Sequence, residues 1–110
     1  MNKVALNFIS YPPPKKIVFY RYIIIQMSRN TSFPLPDVPL VDLATGVEAL
    51  ETAYLNAEER SSQQTNLLSK QEQAIDELFK MLAYYVEETA NGKKNIIISS
   101  GFHPETAEFL

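Results

Sequence analysis

The sequence predicts an all-α fold: a three-helix bundle-like module made of an antiparallel helical hairpin and a preceding helix, with a short extended C-terminal tail. Three observations predict it. Between positions 42 and 92 apolar residues recur at spacings of three and four, as one face of a helix requires. That stretch carries a helix-start signal at Ser61 and Gln64 and is closed by Asn91-Gly92. A connector with three prolines at 33–40 separates it from an apolar segment at 15–28. The resulting division is a helical module at 1–94, including the connector, and an extended tail at 95–110.

The first element is a short extended piece, residues 4–9. Tyr11-Pro12-Pro13-Pro14 then reads as a polyproline-like boundary, because each ring fixes φ and removes an amide donor. Residues 15–28 set two principles against each other. Their β-branched and aromatic side chains favour a strand, yet the segment is long for one and is followed by Gln26-Met27-Ser28-Arg29-Asn30, which has the look of a helix end. On a helix its apolar residues run nearly all round, with Arg21 the one charge within the run 17–25, so such a helix must be largely buried or lie against a partner. Residues 33–40 form an extended connector whose leucine and valine side chains are expected to pack on the bundle. Pro36 and Pro39 have the spacing of a proline-rich ligand, but apolar residues fill the gaps and no arginine flanks them, which favours the structural role.

The second helix is expected at 42–60, with Asp42 as N-cap and Leu43, Val47, Leu50, Tyr54 and Ala57 in one stripe. Gly46, Ala49 and Ala53 beside that stripe would let a neighbouring helix approach closely. The third helix is expected at 62–91. Its apolar residues Leu68, Ile75, Leu78, Leu82, Tyr85, Val86 and Ala90 cover nearly half the circumference, enough for two neighbours. Asp76 and Lys80 read as an i,i+4 pair on the opposite, solvated face. Glu87-Glu88 oppose the helix dipole, and Lys93-Lys94 beyond the Asn91-Gly92 stop favour it. The run from Asn95 through Ile96-Ile97-Ile98 to Phe102 reads as a short strand, which must pair with residues 4–9, another chain or a further domain.

Composition excludes several classes of function. With 110 residues, 45% of them hydrophobic and 21% charged, the chain has the makings of one globular domain. It has no cysteine, hence no disulfide framework, thiolate metal site or cysteine nucleophile. The N-terminus lacks a signal-peptide core, so a cytoplasmic location is the default expectation. The longest apolar run, residues 17–25, holds an arginine and has nine residues where a membrane span needs roughly 20. Residues 1–40 carry five Lys/Arg against one acid, while residues 41–91 carry three against ten. The two regions should attract each other, and the acidic excess argues against a nucleic-acid partner.

Chemistry-bearing motifs are missing. His103 is the sole histidine, with no second ligand at helical spacing, and reads as a solvated loop residue. Ser99-Ser100-Gly101 lacks the Gly-x-Ser-x-Gly pattern, and His103 is too close in sequence to serve it as a base. The glycines at 46, 92 and 101 form no phosphate loop, and the hairpin acids lack the Glu-x-x-His units of di-iron bundles. No cofactor or metal is therefore expected. Phe79 and the tyrosines of the third helix could line a ligand groove but at helical spacing read as core. Tyr84 falls instead on the polar arc with Gln73, Glu77 and Lys80, where an exposed tyrosine points to a contact surface.

From Met27 to Phe102 the order of features resembles a family of uncharacterised bacterial proteins. These features are Phe33-Pro34-Leu35-Pro36 to Pro39-Leu40, two helices, Tyr85-Val86 through Ala90-Asn91-Gly92, and Ser99-Ser100-Gly101-Phe102. In that family a small helical module precedes a fibronectin type III-like domain. The resemblance implies a helix before the proline connector, which tips 15–28 from strand to helix, and it implies no catalytic residues. Eight residues follow Phe102, too few for the second domain.

The expected role is a non-catalytic interaction or assembly module whose partner is protein, including a second copy of the chain. Phe19, Tyr22, Ile23, Ile96, Ile98 and Tyr84 are the expected contact residues. Two other readings are a small-molecule-binding or enzymatic bundle with a pocket among the third-helix aromatics, and a peripheral membrane module acting through Lys15, Lys16 and Arg21.

Overall fold

Three prolines at the front of an apolar segment start a helix in this chain. In the computed structural model, which describes residues 3–57 and 62–105, α1 spans Pro13–Met27 with prolines in its first turn. Pro12 keeps the extended geometry expected of the boundary, but Pro13 and Pro14 sit where an intrahelical amide is not needed and φ is already helical. The polyproline reading therefore ends one residue into the run. The helix reading of 15–28 holds. Arg29, with φ of 61°, turns the chain out of α1.

The connector buries Phe33 and Val38, whereas Leu35 is 82% exposed, contrary to the expectation that its leucine packs down. α2 spans Leu40–Ala57 and α3 spans Ser62–Ala90. α2 starts two residues earlier than expected. The Pro39 carbonyl accepts from the amides of Asp42 and Leu43, so Asp42 is not the N-cap but an acid in the first turn, where it still complements the dipole. The capping pair Ser61 and Gln64 lies outside the side chains described. Leu43, Val47 and Leu50 form the buried stripe as read, with Ala53 joining them and Tyr54 and Ala57 at its edge. A methyl group at Gly46 would come within 2.5 Å of Ile75 Cδ1, so the small residues of α2 do admit α3 closely.

On α3 the buried residues are Ile75, Asp76, Phe79, Leu82, Ala83, Val86 and Ala90. Asn91 (φ 52°) and Gly92 (φ 75°) stop it in the left-handed conformation read from the sequence. The next segment is a correction: α4, Lys94–Ser99, is a helical turn and not a strand. A turn satisfies its own amides, as Ile97 N donating to Lys93 O does, where a lone strand would need a neighbour. Among the described residues, extended pairing appears beyond it. Val4 and Pro104 form an antiparallel bridge, and Ala5 N donates to His103 O (2.8 Å), so the two ends of the described chain lie side by side. Ile97 and Phe102 join the common core, and Ser100 is buried with them.

The helices assemble as a slab. α2 packs along α3, α1 packs against α2, and α4 closes the end of α3. A short 3-10 turn at Asn7–Ser10 places Phe8 in the core beside Phe19, Tyr20 and Phe102, with ring centroids 5.6 to 5.8 Å from Phe8. The extents are 45 × 35 × 17 Å, the longest of them about the length of a 29-residue helix at 1.5 Å per residue.

Candidate functional site

Lys16 is the one lysine among the described residues with no exposed surface, and its burial organises α1. Its Nζ donates to the Ile9 carbonyl (2.9 Å), Glu72 Oε2 (2.6 Å) and Asp76 Oδ2 (3.0 Å). An ammonium carries three protons, so all its donors are used. Asp76 accepts a second bond on its other oxygen, from the Tyr20 hydroxyl at 2.6 Å. Tyr20 lies one turn beyond Lys16, and its ring stacks on Phe79 at 3.8 Å between centroids and 5° between planes. Two residues on α1 thus interlock with three on α3. Burial, reinforced by the carboxylate of Asp76, pushes the Tyr20 phenol far above its ordinary range, so it stays a neutral donor.

This arrangement corrects the sequence reading at two points. Asp76 does not pair with Lys80 on a solvated face; Lys80 pairs with Glu77 (2.9 Å), and Asp76 turns inward. The signal was present, because Asp76 stands three residues before Phe79 and seven before Ala83 and so shares their side of the helix. Lys16 is likewise no membrane-facing cation. Lys15 sits 4.2 Å over the Tyr11 ring, and Arg21 forms an exposed two-bond pair with Glu51 (2.8 and 3.1 Å), which lowers the carboxyl of Glu51 and raises the guanidinium. The expected attraction between the basic first segment and the acidic hairpin is realised in Lys16–Glu72, Lys16–Asp76 and Arg21–Glu51.

With one side of α1 committed to the core, the opposite side faces out. It presents Val18 (70% exposed), Tyr22 (48%) and Ile25 (65%), an i, i+4, i+7 stripe. A cleft of about 330 Å³ runs beside the stripe, lined by Arg21, Ile24, Ile25, Ala44, Val47 and Glu48. The expected contact residues divide accordingly. Tyr22, Ile98 and Tyr84 are exposed, Tyr84 on a different helix from the stripe. Ile23 is fully buried, and Phe19 is half-buried between Phe8, Tyr11, Phe102 and His103. Ile96 is half-buried against the core. In a strand Ile96 and Ile98 would share a face, whereas in the helical turn of α4 it is Ile97 between them that enters the core. Val18 and Ile25 were missed, since an all-round apolar helix does not say which stripe stays outside.

The residues that invited chemistry have structural partners. Ser100 is fully buried, with its hydroxyl donating to Ile97 O and accepting from Phe102 N (3.2 Å), which holds the turn. His103 is exposed and stacks on Phe19, with centroids 5.6 Å apart. Phe79 is core, under Tyr20. Among the described residues no group of three or more His, Cys, Asp or Glu is placed to hold a metal ion, and no helix is long and apolar enough to cross a membrane. No family model, characterised protein or solved structure matches the chain.

Proposed function

We propose that this chain is a non-catalytic assembly module that associates with a second copy of itself through the outer side of α1. The observation that carries the reading is the exposed Val18, Tyr22 and Ile25 stripe, large apolar side chains aligned on one helix beside an apolar-floored cleft. The rim carries both signs of charge, Arg21 and Lys15 on α1 and Glu48 and Glu51 on α2, so the face is self-complementary about a two-fold axis. An anionic membrane would meet those two glutamates, and both cations already have partners, which favours protein over lipid. The stripe alone is smaller than the roughly 800 Å² per partner of a stable interface, so the cleft must take part by receiving Tyr22 or Ile25 of the other copy.

Light scattering coupled to size exclusion at several concentrations tests this. A dimer that Val18→Glu/Ile25→Glu converts to monomer is the expected result. A strict monomer at every concentration, or a dimer indifferent to both substitutions, would reject self-association through α1. Co-sedimentation with phosphatidylserine vesicles by the monomeric parent would replace it with the membrane reading.

A further inference from the structure

We infer that the buried Lys16–Asp76–Tyr20 network is an orientation key: it selects which side of α1 faces inward, and so which side becomes the free surface. The apolar pattern of α1 discriminates its two sides poorly. The inner side offers Ile17, Tyr20, Ile23 and Met27, and the outer side offers Val18, Tyr22 and Ile25. Both sides contain a tyrosine and a cation, so turning the helix about its axis exchanges one apolar stripe for another. The polar groups do discriminate. Only the observed orientation gives the Lys16 ammonium its three acceptors and places the Tyr20 hydroxyl on Asp76. With α1 turned over, Asp76, which is 8% exposed, would keep its charge without either partner. The hydrogen bond from Lys16 to Ile9 extends the key to the N-terminal turn, and the Tyr20–Phe79 stack fixes the axial position as well as the rotation. A buried polar group that costs stability and returns a unique arrangement is a known use of such residues. This inference concerns the free chain and stands whether or not anything docks on α1.

Because the sequence contains no cysteine, single-cysteine probes report the orientation directly. Val18→Cys marks the outer side and Ile23→Cys the inner, each followed by its rate of reaction with a small thiol reagent at a dilution where the chain is monomeric. In the parent, Val18→Cys should react faster than Ile23→Cys by about tenfold or more, because the inner site reacts only through opening. In a Lys16→Met/Asp76→Leu background, with helix content checked by circular dichroism, Val18→Cys should slow and Ile23→Cys should accelerate as turned-over helices appear. Simple loosening of the fold would accelerate Ile23→Cys and leave Val18→Cys fast; that result, or an unchanged pair of rates, would overturn the inference. Should the double variant fail to fold, Asp76→Asn, which removes the charge and keeps the shape, carries the same test with the same two outcomes.

Discussion

Tyr20 shows how much one side chain can be asked to do in a small core. Its ring stacks on Phe79 and its hydroxyl donates to Asp76, both from within the protein. Replacing it with phenylalanine keeps the stack and removes the bond, and is expected to destabilise the fold by about 1–3 kcal/mol in urea denaturation. Its raised pKa has a further consequence. A phenol that ionises near pH 10 when unfolded but stays protonated when folded means that the unfolded state binds fewer protons above that pH. The Tyr20 contribution is thus fully present below about pH 10 and is lost as the pH rises further. In an ultraviolet titration of the six tyrosines, one should fail to ionise until the protein unfolds, and the Tyr20→Phe variant should lack that late step. Gly101 carries a different constraint. Its φ is +97°, and a β-carbon there would stand 3.0 Å from Ile23 Cα, a backbone atom that cannot give way. Gly101→Ala should therefore lower stability by about 1–2 kcal/mol or more, read as a fall in the thermal midpoint.

At the scale of helices, the contacts of α3 with α2 and with α1 are of opposite kinds. Against α2 it packs by close approach, with Gly46 lying under Ile75. Gly46→Ala gains about 1 kcal/mol of helix propensity but forces Ile75 Cδ1 aside, so its effect should be small alone. In an Ile75→Val background, which lacks that atom, it should be more favourable than in the parent, a coupling that a double-mutant cycle measures directly. Against α1, α3 packs through a buried ion pair. Asp76→Ala takes from the buried Lys16 ammonium one of its two carboxylate partners and should cost about 3–5 kcal/mol, whereas the Lys16→Met/Asp76→Leu pair removes both charges and should cost less, about the 1–3 kcal/mol of the Tyr20 hydroxyl's lost acceptor, in denaturant unfolding. Should both variants lose stability equally, the pair would be a net stabiliser and not chiefly a determinant of arrangement. The exposed Arg21–Glu51 pair also joins α1 to α2, but solvent screens it and its loss should be hard to detect.

At the scale of the whole molecule, shape explains why an apolar helix surface is left outside. A slab 17 Å thick has room for few fully surrounded helices, and its radius of gyration of 14.8 Å exceeds the roughly 13 Å of a rounded chain of this length. α1 is covered on one side only, and a second copy laid on its outer side would thicken the slab toward a sphere. The two ends of the described chain are drawn into the same body through the bridge of Val4 with Pro104 and the bond from Val4 N to Glu87 Oε1 (2.9 Å). Dimerisation through α1 should leave those ends free, so a tag at either terminus is expected not to alter the mass change produced by Val18→Glu/Ile25→Glu.

The all-α class, the hairpin with its stripes, and the left-handed stop at Asn91-Gly92 were legible in the sequence because each rests on local physics: helical periodicity and the sterics of positive φ. The charge asymmetry between the two halves also foretold which regions attract. Tertiary structure alone decided the burial of Lys16, the partners that Asp76 meets and the choice of Val18 and Ile25 as exposed residues. Each of these depends on a partner far along the chain. Lys16 can be buried only because Glu72 and Asp76, some sixty residues away, complete its hydrogen bonds, and that commitment leaves the opposite stripe of α1 facing water.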